Sequence, residues 1–439
     1  MKQIIFISLL LVSSAKAQKK TEFDSILTQM KFSARTELID KYYPANIDTL
    51  YGGYLSSFSY DFKPVADQDK MIVTQARHVW TTAKAALFYK DSSFTRMSRH
   101  GFYFLRDKMW DPEYGGFYTL VNRKGEPRND SKNAYGNAFG IFALAAYYET
   151  SHDPQALELV KKAFEWLEKN SHDPVYKGYY QHLQRNGTPV KRAANEAAGS
   201  DLGYKDQNSS IHLLEAFTEL YHVWPDPLVK ERLQEMLLLI RDKMVHPKGY
   251  LQLFFTPDWK PVSHRDSSHA AIVRLSNLDH VSFGHDVETA YLMMEASETL
   301  GNHNDTKTIT VGKKMVDHAL KYGWDNEFAG FYDRAYYFKE EPSIKILKPA
   351  KNWWAQAEGL NTLLIFSRLY PKDKMQYGKM FQKLWQYTQT YLIDHEHGDW
   401  YEEGLDRSPE RKTGQKTHIW KAAYHNFRSL SNCIKKLEE

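Results

Sequence analysis

The segment Asp111-Pro112-Glu113-Tyr114-Gly115-Gly116-Phe117-Tyr118 decides the fold, because versions of it recur along the whole chain. Each version places acidic or polar residues before a glycine and aromatic residues after it, and this composition is typical of a tight turn. Six copies are present, and their last glycines are separated by 62 to 81 residues. The other five copies occupy 51–54, 173–180, 246–250, 325–332 and 394–401. A turn repeated at this spacing indicates a chain built from repeated structural units.

The segments between these turns carry apolar residues at the i, i+3, i+4, i+7 spacing of amphipathic helices. The twelve predicted helices span 24–41, 72–90, 93–108, 134–151, 154–170, 207–223, 227–244, 284–301, 305–322, 352–369, 373–392 and 417–437. Two helices per unit make a hairpin, which cannot bury its apolar face alone and must pack against its neighbours. Because alternate helices are the more hydrophobic ones, six hairpins favour a closed double ring over an open solenoid. The predicted fold class is therefore all-α, an (α/α)6 barrel of six helical hairpins.

The first residues of the chain predict export. Lys2 precedes an apolar run from Ile4 to Val12, and small residues follow as far as Ala15-Lys16-Ala17, which is the order of a secretory signal peptide. The apolar run is too short to cross a bilayer. We therefore expect a signal peptide over 1–17, one catalytic barrel domain over 18–439, and a periplasmic or secreted protein with no membrane attachment after cleavage.

Composition argues against several classes of partner. The formal net charge is only +4 and the basic residues are dispersed, so we expect no nucleic-acid partner and no anionic membrane partner. Cys433 is the single cysteine, and it lies in an apolar helical pattern that predicts a buried core position. The sequence contains no glycine-rich phosphate-binding loop, so nothing in it supports a nucleotide substrate. We expect a monomer or a homodimer, between which the sequence does not decide.

The alternate helices begin with polar and aromatic residues that a plain hydrophobic core would not contain. In a double ring these are the inner helices, and their N-terminal ends meet around one cavity. The segments concerned are 75–80, 133–137, 208–215, 284–288, 353–358 and 420–426. Asn208 and His212 share a helix face at i, i+4, and so do His285 and Glu288 at i, i+3. A single histidine at such a position is most often a core or capping residue. Here polar residues recur at the same position in six units, and this recurrence predicts a shared pocket.

Five of these matches, in order over nearly the whole mature chain, resemble the signature segments of the N-acylglucosamine 2-epimerase superfamily. They are Arg77 and the segments 208–215, 284–288, 353–358 and 420–426. The similarity is greatest to its cellobiose and mannobiose 2-epimerase branch. The resemblance implies an (α/α)6 barrel that interconverts sugars at C2, or between aldose and ketose, without a metal or redox cofactor. The implied substrate is a small sugar or oligosaccharide.

The resemblance also implies roles for individual residues. His285 and His425 match the family's two acid/base histidines, and Arg77 matches the arginine near the carbonyl end of the sugar. Glu288 and Glu358 match the carboxylates that support the histidines. The predicted substrate-binding residues are Asn208, His212, Tyr135, Tyr291, Trp354 and Trp420. Two positions depart from the disaccharide epimerases, which have a histidine in place of Ser210 and a tryptophan in place of Tyr291; these departures bear on substrate size more than on reaction type.

The chemistry of C2 inversion agrees with two histidines. The enzyme must open the sugar ring, remove the C2 proton and return a proton to the opposite face, so two acid/base groups are needed. Imidazole suits both roles because its pKa of about 6.5 keeps both protonation states available. Arg77 would stabilise the negative charge that develops on the enediolate. The sequence leaves open which histidine serves which face, and it also allows proton return to C1, which would give a ketose.

Three other functions stay open on the residues alone. Histidines and carboxylates also bind zinc, but no His-Glu-x-x-His segment is present and one cysteine cannot form a thiolate site, so we expect no metal and no other cofactor. A glycoside hydrolase on the same barrel would use two carboxylates flanking the glycosidic bond, and product analysis would identify it. A sugar-binding protein without catalysis would show no proton exchange at C2.

Overall fold

The computed structural model describes residues 22–439, and most of them are helical. The predicted signal peptide at 1–17 lies outside the described residues. The helices are α1 (22–32, continued by Ser33–Ile39 and Asp40–Tyr42), α2 (Ile72–Tyr89), α3 (Ser92–Phe104), α4 (Ala134–Ser151), α5 (Pro154–Asn170), α6 (Gln207–Val223), α7 (Pro227–Leu239), α8 (His269–Leu275), α9 (Phe283–Thr299), α10 (Thr306–Tyr322), α11 (Trp353–Leu369), α12 (Tyr377–Tyr387) and α13 (Tyr424–Glu438). Single π-helical turns extend α3, α7 and α12 to Met109, Met244 and Leu392.

Six of these helices form an inner ring and six form an outer ring. The inner helices are α2, α4, α6, α9, α11 and α13; each packs against the next, and α13 packs against α2, which closes the ring. The outer helices are α1, α3, α5, α7, α10 and α12. The chain is thus the predicted (α/α)6 barrel. Across residues 22–439, none of the helices is long and apolar enough to span a membrane.

The two rings differ in how completely their helices are buried. Every residue from 134 to 147 of the inner helix α4 is buried, which agrees with its continuously apolar sequence. The outer helix α5 buries only one face. Its N-cap is Asp153, whose side chain accepts a hydrogen bond from the Gln155 N–H, and Pro154 is its first residue. The outer ring therefore covers the inner ring and leaves charged side chains in solvent.

The first eleven predicted helices lie within four residues of their observed limits. The twelfth is wrong at its start, since 417–437 was expected and α13 begins at Tyr424. The physical reason is a long-range attachment: Thr417 pairs with Phe58 in an antiparallel bridge, and the Lys421 ammonium binds Asp399. Helix α8 was not predicted. Cys433 is buried as expected.

Ten short strands, also not predicted, fix the starts of four inner helices. They are β1 (Lys70–Met71), β2 (Leu120–Val121), β3 (Pro127–Asn129), β4 (Lys132–Asn133), β5 (His182–Leu183), β6 (Lys205–Asp206), β7 (Phe254–Phe255), β8 (Val281–Ser282), β9 (Arg334–Tyr336) and β10 (Lys345–Lys348). All pairs are antiparallel, in the orders β1-β2-β3, β4-β5, β6-β7 and β8-β9-β10. Strands β1, β4, β6 and β8 lead directly into α2, α4, α6 and α9. Each of these inner helices is thereby held to the chain of the following unit.

The recurring turn is stabilised by its aspartate and its glycines. The Asp111 carboxylate accepts hydrogen bonds from the backbone N–H groups of Glu113 and Tyr114 at 3.0 and 3.3 Å. Gly116 has a φ of +71°, and a Cβ there would lie 2.7 Å from the Trp166 ring, so only glycine fits. These local requirements explain why the same residue types return in each unit.

A buried lysine–aspartate pair, which we call a latch, attaches the segment that leads into an inner helix to the preceding turn. The latches are Lys70–Asp48 (2.9 Å), Lys132–Asp111 (2.9 Å), Lys205–Asp173 (2.8 Å), Lys351–Asp325 (2.8 Å) and Lys416–Asp394 (2.6 Å). Each lysine side chain is at most 1% exposed. The fourth turn has His246 in place of the aspartate, and no latch joins it to α9 among the described residues.

Candidate active site

The N-terminal ends of the inner helices surround a pocket of about 200 Å³. Nine of the eleven predicted site residues line it, together with Trp353. The nine are Arg77, Tyr135, Asn208, His212, His285, Glu288, Trp354, Trp420 and His425. The remaining two, Glu358 and Tyr291, lie immediately behind the lining. The structure therefore brings the predicted residues of all six units together at one end of the barrel.

His425 is held by a carboxylate on the side away from the pocket. Its Nδ1 lies 2.6 Å from Glu358 Oε1, and Glu358 Oε2 accepts a hydrogen bond from the Tyr291 hydroxyl at 2.7 Å. With Nδ1–H donating to the glutamate, the basic lone pair of His425 is on Nε2, toward the cavity. Burial lowers the pKa of His425 well below its usual value, and the charges of Arg77 and Arg428 lower it further.

His285 lies in the same pocket, on a different helix. Its Nδ1 is 2.8 Å from the Ser282 hydroxyl, and no described side chain bonds its Nε2. The rings of His285 and His425 both flank the Trp354 indole, at centroid distances of 4.7 and 5.9 Å. Burial lowers the pKa of His285 to about 3. Both imidazoles are therefore neutral near pH 7 and able to accept a proton.

Arg428, which the sequence analysis missed, connects the carboxylates beneath the pocket. Its Nη2 lies 2.6 Å from both Glu288 Oε1 and Glu358 Oε1, while Nη1 contacts Glu215 and the Tyr424 hydroxyl. Three glutamates thus share one buried guanidinium. The position of Arg428 three residues after His425, on the same face of α13, is the sequence signal that could have identified it.

Sharing one cation changes the ionisation of Glu288. Burial raises the pKa of this carboxyl, the neighbouring Glu358 carboxylate raises it further, and Arg428 opposes both only in part. Glu288 Oε2 is buried and has no hydrogen-bond partner among the described residues. Glu288 Oε1 lies 3.9 Å from His425 Nδ1. A carboxyl group that retains its proton toward neutral pH therefore lies beside the His425–Glu358 pair.

Arg77 is fixed with its guanidinium at the pocket wall. Its Nη1 donates to the Trp420 carbonyl oxygen at 2.9 Å, and Nη2 donates to the Tyr135 hydroxyl at 3.4 Å. The guanidinium lies over the rings of Phe139 and Tyr424, at 4.7 and 5.1 Å from their centroids. Arg77 Nε is buried and has no partner among the described residues. The arginine is therefore held rigidly with donor capacity to spare.

His212 forms a second histidine–glutamate pair in the pocket. Its Nδ1 lies 2.9 Å from Glu215 Oε2, and its ring packs against Tyr135 with centroids 5.3 Å apart. Asn208, one turn earlier on α6, is partly exposed to the cavity. Burial lowers the pKa of His212, although Glu215 raises it in part. This wall of the pocket thus presents a neutral imidazole and an amide to a ligand.

The aromatic residues of the site occupy three different depths. Trp354 lies between the two histidines, whereas Trp420 is 48% exposed at the mouth, in the loop that precedes α13. Tyr291 is fully buried and bonds Glu358. The structure therefore places Tyr291 behind the pocket as a support for Glu358, and a direct contact with a sugar stays a prediction for this residue.

Glu288, Glu358 and His425 are the one group in the described part of the chain that has the spacing of metal ligands, with their ligand atoms within 4.8 Å of one another. Arg428 Nη2 lies 2.6 Å from both carboxylates, so the guanidinium already occupies the position of a cation between them. A metal ion would have to displace this arginine. The group is better described as a histidine supported by a hydrogen-bonded charge cluster.

Comparison with known proteins identifies the family and its fold. Residues 53–429 match the family model of N-acylglucosamine 2-epimerase. The chain is 26% identical to a cellobiose 2-epimerase of Bacteroides fragilis, over 95% of this chain and 100% of that protein. It is 22% identical to a D-mannose isomerase of Marinomonas mediterranea, over 90% of this chain and 94% of that protein. The solved structure of cellobiose 2-epimerase from Bacillus thermoamylovorans superposes with a TM-score of 0.81 at 25% identity, over 94% of this chain and 99% of that one.

Proposed function

Since the chain belongs to the N-acylglucosamine 2-epimerase family, we propose that it inverts C2 of a free aldose, or of the reducing-end sugar of a disaccharide, by removing and returning one proton. Membership makes the protein a carbohydrate epimerase or isomerase, as its named relatives are. The observation that carries the proposal is the pair of neutral imidazoles, His285 and His425, which flank Trp354 in one pocket.

In the first step, one imidazole takes the C2 proton of the open-chain aldose. The electron pair of the C2–H bond becomes the C1–C2 double bond, and the C1 carbonyl oxygen takes the negative charge of the enediolate. Arg77 is the cation at the pocket wall that stabilises this oxygen, because its guanidinium is positioned before the charge develops. Both histidines are neutral near pH 7, since burial keeps their pKa values low, so either has a free lone pair for the proton; the same shift makes each a weaker base than an exposed imidazole.

In the second step, the histidine on the opposite face gives a proton to C2, and the C1 carbonyl re-forms. Because both imidazoles are neutral in the free protein, this histidine must first take up a proton, and the Glu288 carboxyl beside His425 is the source placed to supply it. A lowered pKa makes each imidazolium a strong acid, which favours this return. The Glu358 carboxylate stabilises His425 while it is positively charged, as it accepts the Nδ1–H hydrogen bond. After each turnover the two histidines have exchanged protonation states, so one proton must pass between them before the next. Glu288, beside His425, is the protonated group placed to take part in this transfer.

An aldose–ketose isomerase is the second candidate, and one observation favours it: one of the relatives is a D-mannose isomerase. The cavity of about 200 Å³ is small for a ligand site and suits one sugar ring in either reaction, so a second ring would extend past Trp420 at the mouth. Return of the proton to C1 instead of C2, with the same residues, would give the ketose.

The arrangement of the carboxylates argues against a glycoside hydrolase on this barrel. Such an enzyme needs two carboxyl groups on either side of the scissile bond. Here Glu288 and Glu358 are both bonded to the same Arg428 nitrogen, and Glu358 lies behind His425 rather than in the lining. Both imidazoles line the cavity, whereas only one of these two carboxylates, Glu288, does.

We also propose that the protein is exported and acts on unphosphorylated sugars. The support is the signal-like order of residues at 1–17. Fractionation of cells that express the full chain tests it: we expect the shortened protein in the periplasm or the medium, and full-length protein confined to the cytoplasm would contradict the proposal.

Product analysis tests the reaction. The wild type is incubated with cellobiose, mannobiose, mannose and glucose, and the products are identified by NMR. We expect the C2 epimer with any glycosidic linkage intact; a ketose would support the second candidate, and release of monosaccharides from a disaccharide would contradict both. His285→Ala and His425→Ala should each abolish conversion. His172→Ala is the matched control, because His172 also pairs with a glutamate (Glu235, 2.9 Å) but lies outside the pocket lining.

A further inference from the structure

In four of the six inner helices, the fourth residue attaches the helix to its preceding turn. In α2, the Gln75 amide oxygen accepts from the Tyr54 backbone N–H, and its nitrogen donates to the Tyr54 carbonyl, both at 2.8 Å. In α11, Gln356 makes the same two bonds with Phe331, at 2.7 and 2.9 Å. An amide suits this position because it accepts with one atom and donates with the other.

Asn137 in α4 shows the same arrangement with a shorter side chain. Its oxygen accepts from the Phe117 N–H at 2.9 Å, and its nitrogen donates at 2.8 Å to the carbonyl of Asn133, four residues earlier. Three units thus use an amide whose donor and acceptor atoms are both bonded. The fourth unit has an acid in this place.

Asp286 is the fourth residue of α9, and its side chain is fully buried. Its Oδ1 accepts from the Leu251 N–H at 2.8 Å, as the amide oxygens do. Its Oδ2 stands where the amides have their nitrogen, and it has no hydrogen-bond donor among the described residues. An ionised carboxylate can only accept, so this oxygen would be a buried charge without a partner.

We propose that Asp286 is a neutral carboxylic acid in the folded protein, that its Oδ2 proton replaces the amide N–H of the other units, and that it thereby positions the adjacent His285. The matching acceptor is the carbonyl of Ser282, four residues earlier, by analogy with Asn137 and Asn133. Only the catalytic meaning of positioning His285 depends on the proposed function; the protonation of Asp286 does not.

The groups that face Asp286 offer no positive charge to an ionised form. His318 Nδ1 is 4.0 Å from Oδ2, too far for a hydrogen bond, and it too has no partner. Burial lowers the pKa of His318 to about 4, and the nearby His246, Lys248 and Lys321 lower it further, so it is neutral at pH 7. Its Nε2 lies 2.8 Å from the Tyr337 hydroxyl. Tyr250 lies between His246 and His318, with ring centroids 4.5 and 5.5 Å away, and is uncharged.

Two forces act on the ionisation of Asp286, and burial is the larger. The positive end of the α9 dipole favours a carboxylate at this position, but that effect is smaller than the cost of burying a charge without a partner. Burial accordingly raises the pKa of Asp286 well above its usual value. A group with a raised folded pKa makes the protein less stable as the pH rises from the unfolded pKa of about 3.9 to the folded value.

Thermal unfolding tests the protonation without any assay of activity. The melting temperatures of the wild type and Asp286→Asn are compared from pH 5 to pH 8. We expect the melting temperature of the asparagine variant to rise relative to that of the wild type by on the order of 1–2 °C per pH unit, because the asparagine cannot ionise. Asn137→Asp places the same acid in α4, so its melting temperature should fall increasingly below that of the wild type as the pH rises. A difference between Asp286→Asn and the wild type that is constant with pH would overturn the proposal.

Activity tests the positioning role. We expect Asp286→Asn to keep at least half of the wild-type kcat, since it restores the amide of the other units, and Asp286→Leu to lose about 10-fold or more while KM changes little. Equal activity of the two variants would overturn the positioning role. If Asp286→Leu does not fold, the asparagine variant decides alone: a loss of 10-fold or more there overturns the role. If the wild type itself converts no sugar, the proposed function fails, while the melting experiment still decides the protonation.

Discussion

The latches and the carboxylate cluster beneath the pocket both bury charged groups, but the pKa of Asp111 in a latch and the pKa of Glu288 in the cluster are shifted in opposite directions. At a latch, burial would raise the pKa of Asp111, yet hydrogen bonds from Arg185, Lys132 and the turn backbone hold it below its usual value. Beneath the pocket, three glutamates share Arg428 and the pKa of Glu288 is raised. The difference is the number of cations per carboxylate. A fully paired carboxylate fixes the fold, whereas an underpaired one retains a proton beside the reacting groups.

Removing the shared cation should have the largest effect. In Arg428→Met, three buried carboxylates lose their only guanidinium, so we expect a loss of about 3–5 kcal/mol in the free energy of unfolding and of about 100-fold or more in kcat. Urea unfolding and product formation measure the two effects. Arg428→Lys keeps the charge but not the two-nitrogen geometry, so its stability and its kcat should lie between those of the wild type and those of Arg428→Met. An Arg428→Met protein with wild-type kcat would contradict the assignment of the cluster to the active site.

Breaking a latch should affect stability without affecting chemistry. Lys132→Met leaves Asp111 buried with only the half-exposed Arg185, and we expect a loss of about 3 kcal/mol in the free energy of unfolding. The kcat of the folded fraction should stay close to that of the wild type. The double variant Lys132→Met/Asp111→Asn removes the unpaired charge and should recover part of the loss. A fall in kcat as large as that of Arg428→Met would remove the distinction between the two regions.

The pH dependence of stability should have opposite signs for Glu288 in the cluster and Asp111 in the latch. The folded pKa of Glu288 is raised, so the contribution of Glu288 to the free energy of unfolding is lost as the pH rises through that value. The slope of this loss is at most about 1.4 kcal/mol per pH unit. Glu288→Gln should therefore flatten the alkaline side of the stability curve. Because the folded pKa of Asp111 is lowered, its contribution is present above its unfolded pKa and lost on acidification, so Asp111→Asn should flatten the acid side. Urea unfolding from pH 3 to pH 9 measures both; curves that change on the same side would refute the comparison.

The smallest effect should come from the mouth of the pocket. Trp420 is 48% exposed and contributes only its backbone carbonyl to Arg77, so alanine keeps that hydrogen bond. We expect Trp420→Ala to raise KM by about 3- to 10-fold through lost stacking on the sugar, with little change in kcat or stability. Trp420→Phe keeps an aromatic ring, so its KM should be close to that of the wild type. A large loss of kcat in the alanine variant would place Trp420 among the positioning residues instead.

The sequence was sufficient for the ring of helices and for most of the pocket. The repeated turn and the helical period predict where α2 to α7 and α9 to α12 lie. The starts of inner helices converge in any closed ring, so His285 and Arg77 could be placed together. Residues that act through packing between units could not be found in this way. Arg428 reaches glutamates on α6, α9 and α11, and the start of α13 depends on Lys421 binding Asp399 of the previous turn. Strands of two residues, such as β4, are too short to show alternation.

Exchange of the C2 proton by variants with one histidine tests most directly whether His285 and His425 act on opposite faces of a single carbon. His285→Asn and His425→Asn are incubated in heavy water with each of the two C2 epimers separately, and deuterium at C2 of the recovered substrate is measured by NMR. We predict that each variant exchanges the proton of one epimer only, that the two variants choose different epimers, and that neither forms product. Exchange of both epimers at the wild-type rate by either variant would contradict the account, because a single base would then serve both faces.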